Sequence, residues 1–255
     1  MCTVTFLPTP SGFILTHNRD EAPSRSPEVI SRVQEGGDTL LFPRDTKAGG
    51  AWVAASKSGR TACLLNGAFV KHHHNPPYRR SRGLVLLDFF HWPQPDLFFG
   101  QYDLDGIEPF TFLYFNTDRV VELRWDGTQR YVKELAPDEP HFWCSATLYP
   151  PDMQQKRKQV FLDWLQQTVH RLPSSVHRLP STVLRLSPAS DRQRWRPRKR
   201  FCHEPGRSGM HGEYHANNFN IKKIQHALCR PVGRESGYTV YVDEQAVRNQ
   251  MSTDI

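Results

Sequence analysis

The chain has 255 residues, of which 38% are hydrophobic and 11% aromatic, and a formal net charge of +7. That length supports one large domain with a sizeable core, and no run approaches the roughly 18 apolar residues of a membrane-spanning helix. The charge is local: residues 171–215 hold ten Lys and Arg against three acids, so this stretch alone supplies +7 and the remainder is neutral, which excludes basicity as a property of the main body.

In chain order, "CTVTFLP" alternates and predicts a strand, "GFILTHN" predicts its partner, and "TPSG" between them supplies hairpin turn residues. The first 16 residues lack the basic start and small-residue cleavage site of a secretory signal, so the expected compartment is cytoplasmic. A Pro- and Ser-rich excursion follows. "AWVAAS" and "RTACLLN" then flank "KSG" as a second hairpin. "HHHNPPYRR" reads as a polar surface loop, "SRGLVLLDFFHW" as a short helix stopped by Pro93, and "PFTFLYFN" with "RVVELRWDG" as a further strand pair. The clearest helix is "YPPDMQQKRKQVFLDWLQQTVHRL", with Pro151 and Asp152 in its first turn and Phe161, Trp164, Leu165, Val169 and Leu172 on one apolar stripe.

Paired strands with few, interspersed helices indicate an antiparallel α+β domain rather than a βαβ fold. After residue 172 the character changes: "HRLPS" occurs twice and "SDRQRWRPRKR" follows, so residues 1–172 are expected to form the folded domain and 173–255 a basic, loop-rich C-terminal region. Arginines with Trp195 could suit nucleic acid, but the run reads as a solvated tail, and no nucleic-acid partner is expected.

The five cysteines (Cys2, Cys63, Cys144, Cys202, Cys229) include no C-x-x-C pair, which argues against a disulfide framework and a zinc ribbon. Cys63 and Cys144 read as small buried side chains. Cys202, His203, His211 and His215 tempt a zinc assignment, but Gly212 suits a helix poorly and the spacing matches no metalloprotease pattern, so neither metal nor cofactor is expected. Cys2 differs, because loss of Met1 would leave a terminal cysteine. Such a residue offers a thiol that attacks carbonyls and an α-amine, with a pKa of about 8, that accepts and returns its proton. Position alone also allows a merely buried cysteine on an edge strand.

"MC" opening a strand, "NRDE" ending its partner, and "RDTKAGGAWVAASKSGRTACLLNG" some 25 residues on together resemble the NRDE family (transport and Golgi organisation protein 2-like). The match is close over about the first 70 residues, looser to residue 172 and lost beyond. The resemblance implies an N-terminal-nucleophile hydrolase fold, a four-layer αββα sandwich of antiparallel sheets, related to amidases that cleave linear C–N bonds. It implies Cys2 as nucleophile, Arg19 and Asp20 as flanking charges and Asn66 as the oxyanion asparagine, its side-chain amide donating to the developing charge. Asn18, Gly49, Gly50 and Trp52 become substrate-binding candidates, with a structural alternative for Asn18 as part of a charge network and for the glycines as a bulge. Two departures from the amidase pattern stand out. Arg19 and Asp20 are adjacent rather than three apart, so a bulge or turn at "NRD" is needed to bring both to one site, and Ser145 stands where a second asparagine is expected. The implied partner is a small-molecule amide or acyl substrate. The alternative on the same scaffold is a non-catalytic carrier or trafficking protein for lipid, acyl groups or haem.

Overall fold

The computed structural model describes residues 2–9, 12–20, 30–35, 37–169, 184–188 and 237–243. The first hairpin forms as expected: β1 (Thr3–Thr9) pairs antiparallel with β2 (Gly12–Asp20), Val4 opposite His17 and Thr3 opposite Asn18. β10 (His141–Cys144) flanks β1 on its other side, with Thr3 opposite Cys144. Beyond β2 lie β12 (Gly237–Asp243) and β11 (Leu184–Pro188), giving a five-stranded sheet in the order β10-β1-β2-β12-β11. Both sides of residue 172 therefore contribute strands to one sheet.

The second sheet is a seven-stranded antiparallel meander. It runs through β3 (Ile30–Glu35), β4 (Asp38–Pro43), β5 (Val53–Ser56), β6 (Thr61–Asn66), β7 (Phe110–Phe115), β8 (Val120–Trp125) and β9 (Arg130–Leu135). Central β7, "FTFLYF", is buried at every position because both of its faces are covered, whereas edge strand β9 is largely exposed and carries Arg130, Lys133 and Glu134, which discourage edge-to-edge pairing.

Three apolar clusters separate four layers. On the outer face of the second sheet, Leu64, Phe110 and Phe112 pack against α1 (Arg82–Asp88), the 3-10 turn Phe89–His91 and α2 (Pro95–Gln101). Between the sheets, Val4, Phe6, Phe13 and Leu15 meet Cys63, Leu65, Leu113 and Phe115. On the outer face of the first sheet, Leu7 and Phe142 meet Phe161 and Leu165 of α3 (Pro151–Val169). The result is an αββα sandwich of antiparallel sheets, as the resemblance implies. Period-two alternation is what lets each strand feed two of these clusters. The expected α3 stripe is present at Phe161, Trp164 and Leu165; the helix ends at Val169, and Leu172 lies outside the described residues. No helix among the described residues is long and apolar enough to cross a membrane.

Candidate active site

Cys2 enters β1 at the end of the sandwich where β2 finishes, buried in the cluster between the sheets with Val4 and Trp52. On β2, Leu15 faces this cluster, and the alternation carries His17 and Arg19 to the same side. Arg19 is buried and its guanidinium lies 4.2 Å over the Trp52 ring.

Among the described side chains Arg19 meets Asp45, which accepts from its Nη2. β2 keeps unbroken register through Asp20, opposite Gly237, so the bulge or turn needed at Asn18–Asp20 is not formed. Asp45 also accepts the Lys47 and Ala48 N–H groups at 3.0 and 2.9 Å, folding the Arg44–Gly50 loop around its carboxylate. The signal that could have found it is the Asp that opens "DTKAGG", a residue suited to capping its own turn, two strands away from the cation it neutralises. Within that loop Gly49 adopts left-handed backbone (φ +69°). Gly50 is placed for close approach: a Cβ there would sit 2.5 Å from the Gly83 carbonyl carbon at the start of α1, where the Ala51 N–H donates to the Gly83 carbonyl at 3.0 Å. Asn18 is buried opposite Thr3 and, by alternation, on the face away from Cys2.

Asn66 ends β6 opposite Phe110. Cys63 and Leu65 face the first sheet, whereas Ala62 and Leu64 face the helices, and the alternation directs the Asn66 side chain to the helix side. Its backbone is what reaches the Cys2 region. The Ser145 N–H donates to the Cys2 carbonyl at 3.1 Å, and the Ser145 hydroxyl donates to the Asn66 carbonyl at 2.7 Å. Ser145 is wholly buried and its hydroxyl is also 2.9 Å from that of Thr147. One serine thus ties the start of the first sheet to the end of β6. The Leu64 N–H meets the Trp52 carbonyl at 2.9 Å, so the Asn66 N–H, two residues on, points the same way, past the start of β5.

Burial, and secondarily the Arg19 charge, hold His17 neutral by pulling its pKa to about 3, while a ring N–H donates to the Trp52 carbonyl. Among the described residues its Nδ1 and the Trp52 Nε1 are buried without a hydrogen-bond partner. Burial pushes the Cys63 thiol well up and Cys144 to about 11, so both are neutral thiols. Of the three histidines of the "HHH" loop, His72 and His74 lie 2.9 and 3.1 Å from one Glu108 oxygen, with Arg82 3.0 Å from the other, which pins the loop rather than leaving it free on the surface. Cys202, His203, His211 and His215 lie outside the described residues.

A cleft of about 210 Å³ opens beside this junction. Leu65, Thr111 and Arg124 form one wall, Phe142, Trp143 and Cys144 a second, and Pro151, Gln154, Gln155 and Lys158 of α3 a third, with Phe69 at the side. Leu65 precedes Asn66 and Cys144 precedes Ser145, so the cleft starts one residue away from these two members of the junction, and Cys144 pairs with Thr3, the residue after Cys2.

Fold and site together define a four-layer antiparallel αββα protein with a cysteine at the entry to an inner-sheet strand. The chain belongs to the Transport and Golgi organisation 2 family, whose model matches residues 1–228, well beyond the point at which the sequence motifs lose the resemblance. No curated protein matches it in sequence. Among solved structures it is similar to the Caenorhabditis elegans orthologue of N-acylethanolamine-hydrolyzing acid amidase (12% identity, TM-score 0.47, covering 72% of this chain and 90% of that one). It is also similar to penicillin V acylase from Agrobacterium tumefaciens (6% identity, TM-score 0.46, covering 91% and 74%). A mutant conjugated bile acid hydrolase from Clostridium perfringens is a third (10% identity, TM-score 0.45, covering 94% and 85%).

Proposed function

We propose that the protein is a cysteine N-terminal-nucleophile amidohydrolase acting on linear amide C–N bonds. The observation that carries this reading is the junction at Cys2: the thiol-bearing residue lies between the sheets in one cluster with Trp52, over which Arg19 stacks, and its carbonyl is joined through Ser145 to the end of β6. After removal of Met1, the Cys2 α-amine takes the thiol proton and the thiolate attacks the amide carbonyl. The tetrahedral oxyanion is met by the Asn66 main-chain N–H, in place of the side-chain amide that the motif suggested. The α-amine returns its proton to the leaving amine, and water then releases the acyl group with the same amine as base.

Arg19 also has a structural part. Paired with Asp45 and stacked on Trp52, it fixes the floor of the site, and Trp52 and the Gly49–Gly50 turn shape the wall beside it. The test is intact-mass analysis followed by labelling with a cysteine-directed amide electrophile. The mature chain should lack Met1 and take one label at Cys2, and Cys2→Ala should lose both label and turnover of linear amides. Retention of Met1 in an active protein, or full turnover by Cys2→Ala, overturns the proposal. A carrier of lipid, acyl groups or haem is the competing outcome, and it would show ligand binding that is indifferent to Cys2.

A further inference from the structure

α3 carries a conflict of pattern. Its inward stripe is apolar at Phe161 and Leu165, which pack on the first sheet. Stepping back along the same stripe by three and four residues gives Lys158, Gln154 with Gln155, and Pro151, all of which line the cleft instead of packing. A helix that presents amides and an ammonium where its own period calls for apolar residues breaks the local rule, and such breaks concentrate at functional sites.

The facing walls sharpen the chemistry. Leu65, Phe142 and Trp143 are apolar, and Phe69 is 44% exposed although it lines the cleft, with the Arg124 guanidinium 5.0 Å over its ring. Arg124 is not the available cation: it donates to both Glu122 oxygens at 2.9 Å and to the Ala68 carbonyl at 2.7 Å. Glu122 is also occupied by the Trp143 indole N–H at 2.8 Å. The Cys144 thiol, raised by burial to about 11, adds no negative charge. Lys158 forms no ion pair among the described residues and stands exposed at the helical wall.

We propose that this cleft binds a small amphipathic carboxylate, an apolar or aromatic body held by Phe69, Leu65 and Trp143 with its anionic group at Lys158 and the Gln155 amide, the Gln154 Nε2 already donating to the Tyr149 carbonyl at 2.8 Å. Resting on the hydrolase reading, this is the half of the amide substrate remote from the scissile bond. A cleft of this size takes a group of about one aromatic amino acid, well below the roughly 300 Å³ of a drug-sized pocket.

The experiment is calorimetric titration of the full-length Cys2→Ala protein with N-acetylphenylalanine and with its uncharged methyl ester. The carboxylate should bind up to about fivefold more tightly than the ester, the range of a solvent-exposed ion pair. Lys158→Gln should remove that advantage and leave ester binding unchanged, and Phe69→Ala should weaken both probes. Absence of binding by both, equal binding, an advantage that survives Lys158→Gln, or indifference to Phe69→Ala each overturns the assignment. Because no turnover is measured, failure of the hydrolase reading leaves this result intact, and failure here leaves the labelling of Cys2 intact.

Discussion

His17 allows a quantitative test of how dry the interior beside Cys2 is. The imidazole is 1% exposed, with the Arg19 cation near it on the same face, and its pKa is lowered from 6.5 to about 3. The unfolded chain therefore takes up the proton first. Stability contributed by the neutral imidazole is complete above the unfolded value of 6.5 and is lost as pH falls toward 3. At pH 5 the unfolded state is favoured by about 2 kcal/mol through this group alone, a figure that barely changes if the folded pKa is a unit higher. His17→Gln removes the titration and keeps an N–H near the position of Nε2, facing the Trp52 carbonyl. Urea unfolding at pH 7.5 and 5.0 should show the parent protein losing about 2 kcal/mol more than the variant, or about 0.7 M in midpoint at an m-value near 3 kcal/mol/M. Other histidines and carboxylates titrate alike in both proteins and cancel. Equal losses in the two would mean that His17 is hydrated or charged in the fold, and the reasoning would fail.

Asp45→Asn keeps the turn's N–H acceptor but removes the charge facing Arg19, and should cost about 3 kcal/mol in chemical denaturation, with part recovered in the Arg19→Met double variant. Gly50→Ala drives a methyl into the Gly83 backbone and should destabilise by about 1–3 kcal/mol, whereas Gly100→Ala, which meets nothing within 4 Å, should be neutral or stabilising; thermal melts of the pair check this. Ser145→Ala strips the buried Asn66 carbonyl of its hydroxyl donor and should lower stability by about 1–3 kcal/mol, read from urea midpoints, and reduce the rate of Cys2 labelling by shifting the end of β6.

What the sequence determined by itself is whatever short-range periodicity and turn chemistry can encode. The hairpin of β1 and β2, the "KSG" hairpin, the β7–β8 pair and α3 are each written in residues a few positions apart, and the motif "MC…NRDE…LLNG" sets the family and points to Cys2. β9 and β10 were not legible, because one is mostly exposed and shows no apolar alternation and the other is four residues long. The site depended on contacts that no local pattern carries. Arg19 meets Asp45, 26 positions away, because the inner face of β2 meets the Arg44–Gly50 loop of the opposite sheet. Ser145 reaches Asn66 across 79 positions only because β10 lies beside β1 and above the end of β6. Alternation then decides which part of Asn66 faces Cys2: a side chain leaves a strand to one face or the other according to its position, and position counts only once the two sheets are stacked.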